Sequence, residues 1–151
     1  MKRVLFLCTG NYYRSRFAEE LFNALAARSG LQWRADSAGL EPSPGNPGPI
    51  SRHTLAACER LILNRPAMER FPRKVTAEEF PAADLVIAVK EAEHRPMMER
   101  WFPEYLDRVE FWHVHDIDCA EPRDTIADLE LRIAALLERL REASDARTSA
   151  A

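Results

Sequence analysis

The distribution of apolar positions divides the chain into short apolar runs and longer stretches with helical periodicity. Residues 4–7 and 85–89 are continuously apolar, which is typical of strands buried on both faces of a sheet. Elsewhere apolar residues recur every three or four positions, most clearly over residues 124–142, where one stripe predicts an amphipathic helix. In chain order the pattern predicts strands at 4–7, 31–37, 85–89 and 109–115, and helices at 15–29, 50–63, 91–100 and 124–142.

Strands that alternate with helices predict an α/β fold, in which a parallel sheet is covered by helices on both sides. Residues 41–49, rich in proline and glycine, are expected to form a loop within this unit. Ligands of such folds bind beyond the carboxyl ends of the strands. Four polar residues stand at or just after the end of a predicted strand and are therefore expected at one edge of the sheet: Cys8, Ser37, Lys90 and Asp116.

Composition narrows the function class. Of the 151 residues 30% are charged and 46% are apolar, and the net charge of −3 gives no reason to expect binding to nucleic acid or to a membrane. Three cysteines at unrelated spacings predict no disulfide framework, and the apolar run after Met1 is too short for a signal peptide, so we expect a cytoplasmic protein. We expect one domain over residues 1–142 and a disordered tail over residues 143–151.

The segment between the first strand and the first helix carries the candidate chemistry, and it reads Cys8-Thr9-Gly10-Asn11-Tyr12-Tyr13-Arg14-Ser15. A strand, a tight loop and a helix N-terminus point backbone N–H groups at one spot, which makes an anion site. Gly10 and Asn11 tolerate the left-handed backbone that such a loop needs. Arg14 offers a planar fork of N–H donors that matches a phosphate. The positive field of such an anion site favours the thiolate form of Cys8 over the thiol. The segment is thus equipped for nucleophilic attack on phosphorus.

This segment resembles the signature of the low-molecular-weight protein tyrosine phosphatases, Cys-x5-Arg-Ser with Gly-Asn at the third and fourth places. Residues 36–39, Asp-Ser-Ala-Gly, resemble the second-strand motif of that family, and residues 75–80 and 84–87 resemble its later motif. The resemblance extends to about residue 140. It implies a flavodoxin-like three-layer sandwich with a four-stranded parallel sheet, and a hydrolase of phosphomonoesters, specifically a protein tyrosine phosphatase.

The resemblance also implies roles for individual residues. Cys8 would attack phosphorus and form a cysteinyl-phosphate intermediate, Arg14 would hold the phosphate oxygens, and Asp116 would be the general acid. No cofactor and no metal are implied. Around these catalytic residues, the phosphate-binding and substrate-binding set comprises Thr9, Gly10, Asn11, Tyr12, Tyr13 and Ser15, with Ser37 in support.

Two departures from the family pattern bear on the acid and on the substrate. The family acid is an aspartate followed by proline, whereas here Ile117 follows Asp116 and a second candidate, Asp118, lies two residues on. Tyr12 and Tyr13 replace a small aliphatic residue and a second cysteine. The arginine phosphatases of the family carry a small threonine at the position of Tyr12, so its bulk favours phosphotyrosine. The expected partner is a phosphotyrosine protein or a small aryl phosphate, and the expected state is a monomer or a weak homodimer.

Other functions remain open at this point. A thiol-dependent arsenate reductase on the same scaffold needs two more cysteines near residue 89, but Cys58 and Cys119 lie elsewhere. A protein-arginine phosphatase and a phosphate-binding module without turnover are further alternatives. A metal site is a weaker alternative, because no CxxC or HExxH pattern accompanies its possible ligands, which are His113, His115, Asp116, Asp118 and Cys119.

Overall fold

A computed structural model describes residues 1–61 and 69–150 of the chain. Among these residues four strands form one sheet in the order β2-β1-β3-β4, and every neighbouring pair is parallel. The strands are β1 Lys2–Cys8, β2 Trp33–Gly39, β3 Leu85–Ala88 and β4 Val109–Phe111. The predicted α/β fold with a parallel sheet is therefore confirmed.

Helices cover both faces of this sheet. They are α1 Arg14–Ser29, α2 Arg52–Arg60, α3 Glu79–Ala82, α4 Glu91–Trp101 and α5 Pro122–Ala150, and a 3-10 helix, Pro103–Arg108, follows α4. Alternate residues of β1 point to opposite faces, so they enter two separate apolar clusters. One cluster lies under α1 and α5 and contains Val4, Phe6, Phe17, Phe22, Leu129 and Ile133. The other lies under α3 and α4 and contains Leu5, Leu7, Phe80, Val86 and Met98.

The second helix begins later than the sequence predicts. The expected start was residue 50, whereas α2 begins at Arg52 because the side chain of Ser51 caps it by accepting a hydrogen bond from the backbone N–H of His53, 3.2 Å away. Ile50 stays in the preceding loop and is buried. The helix ends at Arg60, and the end of the predicted helix at residues 62–63 lies outside the described residues.

The fourth strand is shorter than predicted. Regular pairing ends at Phe111, although the chain stays beside β3: the N–H of Trp112 donates to the carbonyl of Ala88 at 2.9 Å, and that of Val114 donates to Val89 at 2.7 Å. Helix α4 is also more regular than expected, since it continues through Pro96 to Trp101. A single proline inside a helix removes one backbone hydrogen bond, which the flanking turns tolerate here.

The last helix is longer than predicted. It continues to Ala150, so the expectation of a disordered tail from residue 143 is wrong for residues 143–150. Residues 143–149 are exposed, but the segment contains no glycine or proline, and its alanines and arginine favour helix. The hydroxyl of Thr148 donates to the carbonyl of Ser144, 3.1 Å away, within this last part. No helix in the described residues is both long and apolar enough to cross a membrane.

Candidate active site

The loop between β1 and α1 brings the predicted nucleophile and its neighbours together. The Cys8 side chain is 3% exposed, and its sulfur lies 2.9 Å from the hydroxyl oxygen of Ser15. The backbone N–H of Asn11 donates to the same sulfur at 3.3 Å. Asn11 has φ of 50°, in the left-handed region, and this turns its N–H towards Cys8. Gly10, for which a left-handed backbone was also expected, does not adopt one.

A buried network beneath the loop holds this geometry. The side-chain amide of Asn11 donates to Ser15 Oγ and Ser37 Oγ, each 2.9 Å away. Its carbonyl oxygen accepts from Arg70 Nη1 at 3.0 Å and from the backbone N–H of Arg73 at 3.2 Å. Arg70 also donates to Ser37, 3.2 Å away. Because Asn11 is fully buried and both ends of its amide are paired, the left-handed loop conformation is fixed.

Gly39 explains the second-strand motif. A Cβ atom at this position would lie 2.8 Å from the carbonyl oxygen of Thr9 and 3.1 Å from the backbone nitrogen of Asn11. The end of β2 therefore packs directly against the loop, and the backbone N–H of Leu40 donates to the carbonyl of Cys8 at 3.0 Å. Only glycine permits this approach.

The Arg14 guanidinium is 2% exposed and is surrounded by acceptors. Its terminal nitrogens donate to both carboxylate oxygens of Glu93, at 3.1 and 2.8 Å, and to the carbonyl of Val114 at 3.0 Å. A further contact of 3.3 Å joins Nη2 to Asp116 Oδ2. Burial alone would lower the pKa of Arg14, but the hydrogen bond to Glu93 and the nearby negative charges outweigh it, so the pKa is raised. No sequence motif singles out Glu93 or Arg70 as part of the site; their contacts with Arg14 and Asn11 appear only in the fold.

The two candidate acids are placed differently. Asp116 reaches Arg14, and its second carboxylate oxygen accepts the backbone N–H of Ile117 at 2.8 Å. Asp118 is exposed on the outer part of the same turn and lines a different depression, together with Cys119 and Arg52. The structure therefore brings Asp116, rather than Asp118, to the edge where Cys8 lies. Among the described residues, no three His, Cys, Asp or Glu side chains are arranged to hold a metal ion.

A cavity of about 600 Å³ opens above Cys8. Tyr12 forms part of its wall and is tied to the loop over residues 41–49, because its hydroxyl donates to the carbonyl of Pro47. The ring of Tyr13 is buried, 5.9 Å from the ring of His53, and its hydroxyl has no hydrogen-bond partner among the described residues. Burial raises the pKa of Tyr13, which keeps the phenol neutral. Ile50, Leu55 and Ile117 add apolar side chains to the wall, which also includes polar residues such as Asn46 and Arg52.

All three cysteines lie in the described part of the chain and are free thiols. Cys58 is fully buried, and burial raises its pKa to about 12, so it remains a thiol at neutral pH. Cys119 is exposed, 3.7 Å from the Lys90 ammonium. Neither cysteine is among the residues that line the cavity above Cys8. This arrangement lacks the nearby thiol relay that a thiol-dependent reductase needs.

The fold and the loop define an α/β protein with an anion site built around a cysteine and an arginine. The family model described as "Low molecular weight phosphotyrosine protein phosphatase" matches residues 3–146. The chain belongs to this family, and the family predicted from the sequence motifs is confirmed.

Individual relatives agree with this assignment. A protein-arginine-phosphatase of Bacillus subtilis (strain 168) is 36% identical over 106 residues, which are 70% of this chain and 67% of that protein. A low molecular weight phosphotyrosine protein phosphatase of Gallus gallus is 30% identical over 103 residues, 66% of this chain and 62% of that relative. A crystal structure of a low molecular weight protein tyrosine phosphatase from T. tengcongensis has a TM-score of 0.79 at 28% identity, over 92% of this chain and 99% of that chain. The flavodoxin-like fold expected from the resemblance is thereby confirmed.

Proposed function

We propose that the protein hydrolyses phosphotyrosine in proteins, with Cys8 as nucleophile, Arg14 as phosphate ligand and Asp116 as general acid. As a member of its family the chain is a phosphatase. The position of the Cys8 sulfur supports these roles. It lies within 3.3 Å of both the Asn11 backbone nitrogen and the Ser15 hydroxyl oxygen, close to the N-terminus of α1. Both groups can donate to a thiolate, which is the nucleophilic form of cysteine.

In the first step the Cys8 thiolate attacks phosphorus and the bond to the ester oxygen breaks. Asp116, in its protonated form, gives its proton to the departing oxygen, so the tyrosine leaves as a neutral phenol. Backbone N–H groups of the loop and the Arg14 guanidinium stabilise the charge on the three equatorial oxygens. The product of this step is a phosphoryl group bound to Cys8.

In the second step a water molecule attacks the same phosphorus atom. The Asp116 carboxylate, left by the first step, takes the proton of this water, and the sulfur of Cys8 leaves as a thiolate. Inorganic phosphate is released and Asp116 is again protonated. In the structure, Asp116 lies 3.3 Å from Arg14 Nη2. A bound phosphate competes for this nitrogen, which frees the carboxyl group to face the leaving oxygen.

The walls of the cavity support an aromatic substrate. Tyr12, Tyr13 and Ile117 present ring and aliphatic surface above Cys8, and a phenyl ring is stabilised by stacking and burial on such walls. Phosphoarginine is a second candidate, because one relative with 36% identity is a protein-arginine-phosphatase. A flexible cationic side chain gains less binding energy from these apolar surfaces. Among the described residues that line the cavity, the only carboxylates are those of Glu41 and Asp116.

Two peptides of one sequence, carrying either phosphotyrosine or phosphoarginine, test the substrate. Release of inorganic phosphate gives kcat/KM for each, and we expect phosphotyrosine to be preferred by at least about tenfold. Tyr12→Thr removes an aromatic ring from the cavity wall and is expected to lower the ratio of kcat/KM for phosphotyrosine to that for phosphoarginine. Phe71→Ser, at an exposed position outside the cavity, is the control. A wild-type preference for phosphoarginine would overturn the substrate assignment.

The same preparation separates the remaining alternatives. We expect turnover of p-nitrophenyl phosphate to survive EDTA treatment and to be inhibited competitively by vanadate, because the charge stabilisation comes from Arg14 and backbone dipoles. Thiol-dependent reduction of arsenate without phosphatase turnover would favour the reductase. Tight phosphate binding without any turnover would favour a binding module.

We also propose a cytoplasmic location and a monomeric or weakly dimeric state, with no nucleic-acid or membrane partner. The free thiol of the exposed Cys119 suits a reducing compartment. The net charge of −3 offers no electrostatic attraction for nucleic acid or for anionic lipid.

A further inference from the structure

A second hydrogen-bonded chain, distinct from the Asn11 network, connects α4 to the phosphate loop. His94 is fully buried, and its Nδ1 accepts the backbone N–H of Lys90 at 3.1 Å. Burial lowers the pKa of His94, so the ring is neutral and carries its proton on Nε2, which lies 3.1 Å from the hydroxyl oxygen of Thr9. The Thr9 hydroxyl in turn donates to Glu93 Oε1. Each donor in this chain thus points towards the Glu93 carboxylate.

Glu93 is bound to Arg14 through both ends of the carboxylate. Oε2 accepts from Nη1 at 3.1 Å and Oε1 accepts from Nη2 at 2.8 Å. The carbonyl of Val114 and the carboxylate of Asp116 take the other hydrogens of these two nitrogens. The Nε–H has no partner among the described residues. Together with the Nη2 hydrogen that Asp116 accepts, it forms the Nε edge of the guanidinium, where a ligand can take the place of Asp116, and paired donors on a planar fork suit phosphate.

The Glu93 carboxyl group is ionised at neutral pH. Burial alone would raise the pKa of its carboxyl group, but hydrogen bonds from His94, Arg14 and Thr9 outweigh burial and hold the pKa far below its usual range. Glu93 is not among the described residues that line the cavity above Cys8. A negative charge therefore stands behind Arg14 and does not line the cavity.

We propose that Glu93 is a positioning residue, which fixes the orientation of the Arg14 guanidinium so that its Nε edge faces the transferring phosphoryl group. The inference rests on the proposed role of Arg14. Thr9 and His94 fix Glu93 in turn, since the three side chains form one continuous set of hydrogen bonds. Misorientation of a preorganised charge weakens binding of the transition state more than binding of the ground state.

The expected signature is a separation of kcat from KM. Glu93→Gln keeps the size of the side chain but replaces one acceptor with an amide donor, which faces an Arg14 nitrogen and cannot accept from it. We expect kcat on p-nitrophenyl phosphate to fall between about tenfold and a hundredfold. Because the variant also removes a negative charge near the phosphate, KM and the inhibition constant of inorganic phosphate are expected to stay the same or to fall.

A double-mutant cycle shows whether the effect passes through Arg14. In an Arg14→Lys background the fork is absent, so Glu93→Gln is expected to change the residual rate by less than about twofold. The matched control is Glu91→Gln, which makes the same change two residues earlier in α4, where the carboxylate pairs with Arg95 at 2.7 Å and not with Arg14. Glu91→Gln is expected to retain wild-type kcat.

The outcomes separate this inference from the proposed function. An unchanged kcat in Glu93→Gln, a loss confined to KM, or an equal loss in both backgrounds would overturn the positioning role. Full activity of Arg14→Lys alone would instead overturn the role of Arg14. Glu93→Asp is the second variant if Glu93→Gln does not fold. It keeps the charge, but its shorter side chain cannot reach Thr9 and both Arg14 nitrogens, so a smaller loss of kcat is expected. Wild-type kcat in Glu93→Asp would contradict the inference.

Discussion

Arg14 and Asp116 form an ion pair, with Nη2 and Oδ2 3.3 Å apart. The proposed general acid, Asp116, is therefore paired with the arginine that is proposed to bind phosphate. A bound phosphate would replace Asp116 at this arginine. The pairing also orders the turn after β4, since Asp116 accepts the N–H of Ile117. Within the described part of the chain, Asp118, two residues on, has no such link to the loop that contains Cys8.

The first prediction distinguishes these two aspartates. Asp116→Asn removes the proton that the leaving oxygen needs, so we expect a loss of about 10²–10⁴-fold on phosphotyrosine and a smaller loss on p-nitrophenyl phosphate, whose phenolate leaves unaided. Asp118→Asn is the matched control and is expected to change both rates little and equally. The measurement is the ratio of the two rates in each variant. A leaving-group dependence that appears in Asp118→Asn instead would move the acid by two residues.

The second prediction concerns the fork of Arg14. Arg14→Lys retains the charge but offers a single ammonium, which cannot replace two parallel donors on a rigid plane. We expect kcat/KM on p-nitrophenyl phosphate to fall by more than about tenfold, a difference of more than about 1.36 kcal/mol. Retention of more than about a tenth of the wild-type value would contradict the geometric role assigned to the guanidinium.

The third prediction tests the left-handed loop position. Asn11→Gly and Asn11→Ala both remove the amide that connects Ser15, Ser37 and Arg70, so both are expected to lose activity and stability. With φ of 50° at this position, alanine carries an additional backbone cost that glycine avoids. We expect Asn11→Ala to be less stable than Asn11→Gly by about 1 kcal/mol in urea unfolding. Equal stability of the two variants would show that the loop relaxes out of the left-handed conformation.

The chemistry of the loop could be predicted from the sequence because the residues that form it are contiguous. Cys8 to Ser15 lie within one strand, one turn and the start of one helix, so local rules sufficed to bring the sulfur, the N–H groups and the guanidinium together. The parallel sheet was equally accessible, since its buried strands are continuous apolar runs. The edge position of Asp116 followed from the same strand rule.

The supports of the site were not accessible in this way. Glu93 lies 79 residues from Arg14, and Arg70 lies 59 residues from Asn11. In the sequence each is a charged residue that local patterns assign to the solvent, and only the tertiary fold places it against a buried partner. The difference at the C-terminus has a related cause: a polar segment without an apolar stripe predicts disorder, but residues 143–150 contain no glycine or proline and continue the preceding helix.

The fourth prediction uses the buried thiol of Cys58. Burial raises its pKa to about 12, whereas a thiol in the unfolded chain has a pKa of about 8.5. Above pH of about 8.5 the unfolded state therefore releases a proton that the folded state retains, so the free energy of unfolding falls, by about 1.4 kcal/mol at pH 9.5 relative to neutral pH. Below pH of about 8.5 the contribution is fully present.

Cys58→Ala supplies the control for this effect. The variant has no thiol at that position and is expected to lose less stability between pH 7.5 and about 9.5, as measured by urea unfolding under a reducing agent. Since the two proteins differ only at residue 58, contributions from the rest of the chain cancel in the comparison. The same pH slope in the two proteins would contradict the burial of the Cys58 thiol.

The most direct test of the account is the detection of phosphoryl transfer to Cys8. Asp116→Asn, which slows the attack of water on the intermediate, is mixed with p-nitrophenyl phosphate and quenched in acid within the first turnover, and peptides are examined by mass spectrometry. We expect a burst of p-nitrophenolate and a single added phosphoryl group on the peptide that contains Cys8, with neither signal in Cys8→Ser. Turnover by Cys8→Ser, or a phosphoryl group attached to any other residue, would contradict the mechanism.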